Sequence, residues 1–169
     1  MFGLFKPKMA PEDPVEIEMD AEIERSAEDV YALLNFADPR HQKAEVGIIT
    51  RTGDATYEMV LDMLPDLVFT VRELEAVPNR SYSFESPLPA ELGARLMKSV
   101  ECYRIEPLGP DRCKVTATTF AHFHPMKLKH YQREIAMVAV ACNNSIEKLK
   151  IHAEQGVEAI REIEAQQMA

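Results

Sequence analysis

Cysteine is scarce in this chain. Cys102, Cys113 and Cys142 are its three cysteines, and they form neither a CxxC pair nor an even disulfide framework. A reducing, cytoplasmic compartment with buried, inert thiols is the simplest expectation. Basic residues are in deficit, 19 Lys and Arg against 28 Asp and Glu, and the net charge of -9 repels the phosphate backbone that a nucleic-acid binder must neutralise. Nucleic acid is therefore not an expected partner. Long apolar runs are missing too. The longest candidate, residues 137–142, falls far short of the roughly 18 residues of a spanning helix. At the start of the chain, Phe2, Leu4 and Phe5 stand beside Lys6 and Lys8 without the continuous apolar stretch of a secretory signal. No stable membrane insertion is expected. No GxSxG, HExxH, Walker loop or dinucleotide-binding glycine pattern occurs, which removes the hydrolase, kinase and dehydrogenase readings that rest on them. There is no internal repeat or low-complexity tract, and 169 residues with 46% hydrophobic content suit one core better than two.

What is present is periodicity. Val15, Ile17, Met19, Ala21 and Ile23 alternate with Glu16, Glu18, Asp20, Glu22 and Glu24, the pattern of a half-buried strand whose acidic face is solvated and discourages edge pairing. Residues 1–14, with Pro7, Pro11 and Pro14, read as a flexible tail ahead of a domain over 15–169. Ser26-Ala27-Glu28-Asp29 is a variant capping box that opens a short helix carrying Val30, Tyr31, Leu33 and Leu34. Asp38-Pro39 ends that helix near Phe36 and lets Pro39 open a second short one through Lys43. The period then returns to two, with Tyr57, Met59, Leu61 and Met63 on one side and Thr56, Glu58, Val60 and Asp62 on the other. Further strands are expected over residues 46–52, 67–77, 80–85, 94–107 and 112–123, seven in all. Thr52-Gly53-Asp54, Pro65-Asp66 and Leu108-Gly109-Pro110-Asp111 are turn sequences, and residues 86–93 form a longer loop. After Pro125, Leu128, Tyr131, Ile135, Val138, Cys142, Ile146 and Leu149 recur at helical spacing in one apolar stripe. Gly156 predicts a bend or break before residues 157–167 continue the helix.

The order of strand, two short helices, six strands and long helix resembles the START-like, or SRPBCC, superfamily. Its closest local match is the passage Ile23-Glu24-Arg25-Ser26-Ala27-Glu28-Asp29-Val30-Tyr31-Ala32-Leu33-Leu34. The resemblance implies an α+β helix-grip fold: a curved antiparallel sheet of seven strands around a long carboxyl-terminal helix, with a cavity between them. Lipid-transfer domains, polyketide cyclases, plant hormone and allergen proteins, ubiquinone-binding proteins and chaperone activators share that frame, so function is read from the site. The resemblance implies binding or transport of a small apolar ligand (lipid, polyketide or isoprenoid-like) without a cofactor. An enzyme of the cyclase or aromatase type and a chaperone-activating interaction module stay open as alternatives. A homodimer also stays open.

Ala139 and Cys142 are small residues on or beside the helix stripe, and Met59, Leu61 and Met63 opposite them are adaptable. That combination leaves room for a ligand, or for large sheet side chains to fill the space. The expected sheet wall of the cavity is Tyr57, Met59, Leu61, Phe69, Val71, Phe84, Tyr103, Phe120 and His122. The expected helix wall is Ile135, Val138, Ala139, Cys142 and Asn143. Asn143 adjoins the stripe with an amide able to orient a ligand, whereas Asn144 points further round. Tyr57, Tyr103 and Tyr131 each pair an apolar ring with a hydroxyl that needs a partner when buried. His122 and His124 share a face with Thr118 and Phe120. Two histidines without a third ligand do not make a metal site, so no metal is expected. His122 is either a general acid or base, or a satisfied histidine at a strand end. Lys127, Lys129, His130 and Arg133 gather positive charge at the helix start, offset by Glu134, by sheet carboxylates, or by an anionic ligand headgroup.

Overall fold

The alternation near the start of the chain becomes an edge strand. In the computed structural model, which describes residues 5–169, β1 (Val15–Ile23) turns its apolar residues inward and leaves Glu16, Glu18, Asp20 and Glu22 exposed. Ser26 caps α1 (Ala27–Leu34), its hydroxyl accepting the Asp29 N–H at 3.1 Å. The chain then runs through β2 (Gly47–Arg51), β3 (Thr56–Leu61), β4 (Leu64–Val77), β5 (Ser81–Pro87), β6 (Leu96–Gly109) and β7 (Arg112–Phe123). These seven strands form one antiparallel sheet in the order β1-β7-β6-β5-β4-β3-β2. β1 and β2, consecutive in the chain, are therefore its two edges, and α1 with the segment after it bridges the open side.

Three local expectations change. Residues 39–43 make successive turns in place of a second helix. The Asp38 carboxylate accepts the Arg40 N–H at 2.8 Å and His41 Nδ1 accepts the Lys43 N–H at 3.1 Å, so side chains take donors a helix would use. The β3–β4 turn falls at Asp62 and Met63, and Pro65-Asp66 lies inside β4. Proline is tolerated there because the ladder is interrupted by a register shift between Met59 and Leu61. Finally, the presumed tail is tied down over residues 8–10. The Ala10 N–H donates to the Met126 carbonyl at 2.9 Å, and the Leu128 N–H donates to that of Lys8 at 2.8 Å. Phe2 and Leu4 lie outside the described residues.

The carboxyl-terminal helix breaks where glycine predicted it. α2 (Leu128–Gln155) gives way to α3 (Val157–Met168) at Gly156, whose φ of 89° is costly for any residue with a Cβ. α2 is seated by its second half. Lys150 Nζ donates to the Glu22 carbonyl at 2.6 Å and Glu154 accepts the Glu24 N–H at 2.9 Å, which pins α2 to the end of β1. Of α2, only Ile146 and Leu149 are buried, while Met137 and Val140 near its middle are exposed. The core lies under this seated half: Ile23, Val30, Tyr31, Leu34, Phe36, Tyr57, Val71, Tyr82, Tyr103, Ile105, Cys113, Val115 and Leu149 pack as one cluster. No helix among the described residues is long and apolar enough to cross a membrane.

Candidate functional site

Space remains between the concave face of the sheet, the segment after α1 and the middle of α2. Two adjoining cavities occupy it. The first, about 250 Å³, is walled by Leu34, Phe36, Met59, Phe69, Val71, Phe84 and Leu88, with His41, Gln42, Lys43 and Ser86 at its polar side. The second, about 150 Å³, lies against Leu96, Ala117, Thr119, Val138, Ala141, Cys142 and Ile146. Ser99, Glu101, Tyr103 and Ser145 line both and mark the passage between them. A wider space of about 550 Å³ beside Pro7, Lys8 and Lys127 and another of about 550 Å³ beside β2 are open surface clefts. They lack the enclosing apolar walls that hold a small ligand.

The passage carries the cavity's polar chemistry. The Tyr103 hydroxyl donates to Glu101 Oε2 at 2.7 Å. Burial pushes the Glu101 carboxyl up, against the opposing pull of hydrogen bonds from Tyr103 and Ser99 and of the Lys43 charge. The Tyr103 phenol is raised well above its usual range, first by burial and then by the Glu101 charge, so it stays protonated as a donor. Lys43 is pushed down by burial and held charged by Glu164, whose carboxylate lies 3.9 Å from Lys43 Nζ and 3.9 Å from Lys148 Nζ. Glu164 thereby ties α3 to the wall of the cavity.

His41 makes the same wall pH-sensitive. It is 4% exposed, stacks on Phe36 with ring centroids 4.1 Å apart, and is driven down to about 3 by burial, then by Lys43 and His152. With Nδ1 accepting the Lys43 N–H, the neutral ring carries its proton on Nε2. The unfolded chain titrates this group near 6.5. Between those two values the unfolded state binds the extra proton, so acidification removes stability. We expect on the order of 3 kcal/mol to be lost between about pH 6.5 and pH 4. Urea melts across that window test this, and His41→Gln should flatten the dependence; an equally steep dependence in the variant would contradict the assignment.

Of the residues expected at the cavity, Met59, Phe69, Val71, Phe84, Tyr103, Val138 and Cys142 line it. The others are placed elsewhere. Tyr57 is buried behind Phe36, ring centroids 5.7 Å apart, and reaches only the cleft beside β2. Leu61 ends β3 opposite Gly47, beyond the cavity. Phe120 and His122 project from the convex face, because Val15 and Ser99 both pair with Ala121 and so turn the odd-numbered residues of β7 inward. On α2 the residues facing the cavity are Val138, Ala141, Cys142 and Ser145, which leaves Ile135 and Ala139 on its flanks and Asn143 exposed. Tyr131 packs edge-on against Phe123 at 6.1 Å. Glu134 pairs with Arg95 at 3.6 Å and not with the lysines of the helix start. Among the described residues no three His, Cys, Asp or Glu side chains cluster as metal ligands would. Glu101, Ser99 and Ser145 were not anticipated. Glu101 had a signal, since it shares its strand parity with Tyr103 and Ile105, which are buried. His41 and Lys43 sit in turns, where no periodicity exists to announce them.

No protein-family model matches the chain, and no curated protein matches it in sequence. Solved structures do. The di-domain ARO/CYC BexL superposes with a TM-score of 0.62 at 15% identity, over 85% of this chain and 46% of that one. The Aha1 dimer from Colwellia psychrerythraea gives 0.58 at 18%, covering 84% and 98% of the two chains. A START superfamily protein from Mycobacterium smegmatis gives 0.54 at 18%, covering 86% and 98%. The fold is START-like. Identities this low speak for the START-like fold alone, and within it the sheet, α1 and the long helix stand in the order read from the sequence.

Proposed function

We propose that this chain binds a small, largely apolar ligand in the divided cavity between the sheet and α2. The observation that carries the reading is the unfilled apolar space itself, which aromatic and aliphatic walls line beneath the middle of α2 and beside the segment after α1. Packed interiors hold few voids of this size, so a space of this kind suits a bound small molecule. The three cysteines are free thiols, which supports a reducing, cytoplasmic setting for this binding. Native mass spectrometry of purified protein, followed by extraction of bound material, tests the proposal. A co-purifying small molecule is expected, and removing it should lower the melting temperature in proportion to its affinity. An empty protein that also shows no affinity for neutral aromatic probes would sink it.

One observation favours a second reading, turnover of the bound molecule. Glu101 and Tyr103 bring a carboxyl and a phenol to the same point of an enclosed site, which is the equipment of proton transfer. His122, on the convex face, takes no part. The cyclase-type reading is tested by converting the extracted ligand or its precursor with wild-type protein and with Tyr103→Phe. Unchanged ligand with both proteins leaves carriage as the function.

A further inference from the structure

We infer that the ligand of this cavity carries a protonated amine on an apolar body, and that Glu101 is the group that binds it. This inference rests on the cavity-binding reading above. Glu101 stands where the two halves of the cavity meet, with Phe84 and Thr119 as its neighbours across β5 and β7. Its Oε2 accepts the Tyr103 hydroxyl at 2.7 Å, and Ser99 lines the same space beside it. Those partners supply dipoles but no positive charge. Lys43 is the one lysine or arginine lining the space, and its Nζ is held 3.9 Å from Glu164, which Lys148 also approaches. His41 is neutral. The α2 residues facing the passage, Cys142 and Ser145, are uncharged.

The Lys43 charge is the weakest of the influences that favour the Glu101 carboxylate, and its Nζ is engaged by Glu164, so a proton or a cation that joins this largely buried carboxylate directly stabilises it further. An ammonium on the ligand supplies the charge and up to three donors at once. The walls are aromatic: Phe36 meets Phe84 edge-on at 5.1 Å and Phe84 stacks on Tyr103 at 6.4 Å, and aromatic rings lining a site favour a nearby cation. A ligand carboxylate would meet Glu101 as a like charge.

Three probes that share a naphthyl group test this by titration calorimetry: naphthylmethylammonium, naphthylmethanol and naphthoate, at about pH 7.5, where an alkylammonium is charged. Wild-type protein should bind the ammonium at least about tenfold more tightly than the alcohol, and the carboxylate most weakly. Glu101→Gln should bring the ammonium to the level of the alcohol while alcohol affinity changes by less than about twofold. Equal affinities for ammonium and alcohol, a preference for naphthoate, or an ammonium preference that survives in E101Q would each overturn the inference. If E101Q does not fold, the order of the three probes in wild-type protein decides it. Failure of all three to bind would overturn the cavity reading itself, whereas alcohol binding without ammonium preference would leave that reading standing and remove only this inference.

Discussion

Replacing Tyr82 by alanine is expected to lower the unfolding free energy by about 4 kcal/mol, read as a shift in urea midpoint at constant slope. Tyr82 is fully buried at the centre of the aromatic cluster. Its ring meets Tyr31 edge-on at 6.1 Å and lies 6.4 Å from Phe36 and 6.3 Å from Phe84. Its hydroxyl donates to Glu73 at 2.8 Å and accepts the Phe36 N–H at 3.3 Å, joining β4, β5 and the segment after α1. Burial and the Glu73 hydrogen bond hold the phenol far above its usual range, so it remains a donor at any pH the fold survives. Tyr82→Phe separates the two contributions. It keeps the ring and strands the Phe36 N–H and the Glu73 carboxylate, which should cost about 1–3 kcal/mol. A loss below about 1 kcal/mol in the alanine variant would show that the aromatic cluster does not organise the core.

The largest effect on binding is expected from Ser145→Trp. Ser145 lines both halves of the cavity from α2, and an indole at that position occupies the passage instead of the ligand. Affinity for a neutral naphthyl probe should fall at least about tenfold, equivalent to about 1.4 kcal/mol. Stability should stay within about 1 kcal/mol, because Ser145 is exposed to the cavity and the new ring fills empty space. Ser145→Ala should bind the probe as wild type does, since it changes little volume. Calorimetric titration of the three proteins gives the comparison. Unchanged affinity in the tryptophan variant would move the site away from this cavity.

Tyr82 and Ser145 also show where sequence reasoning stops. The alternation of β1, the Ser26 cap and the Gly156 break are local devices, each specified within a few residues, and each stands where the sequence puts it. Ile146 and Leu149 were read from the stripe of α2 and are its buried residues. The parity of β7 is another matter. A period of two separates Thr118, Phe120 and His122 from Ala117, Thr119 and Ala121, but does not say which set faces the helix. Pairing of Val15 with Ala121 and of Thr119 with Glu101 decides that, and those partners lie far apart in the chain. The same holds for α2, whose stripe is broad enough that Ala139 or Ser145 could face the sheet. The anchor of Lys150 and Glu154 on β1 sets the rotation.

By itself the sequence determined most of the elements and their order, because periodicity, capping and glycine conformation act over a few neighbouring residues; the START-like frame was read from the resemblance that this order carries. Tertiary structure alone decided that of the α2 stripe only Ile146 and Leu149 are buried, that Glu101 and Tyr103 meet at the passage of a divided cavity, and that His41 and Lys43 stand on its wall. Those features depend on strand register and helix rotation, which arise from contacts between segments distant in the chain.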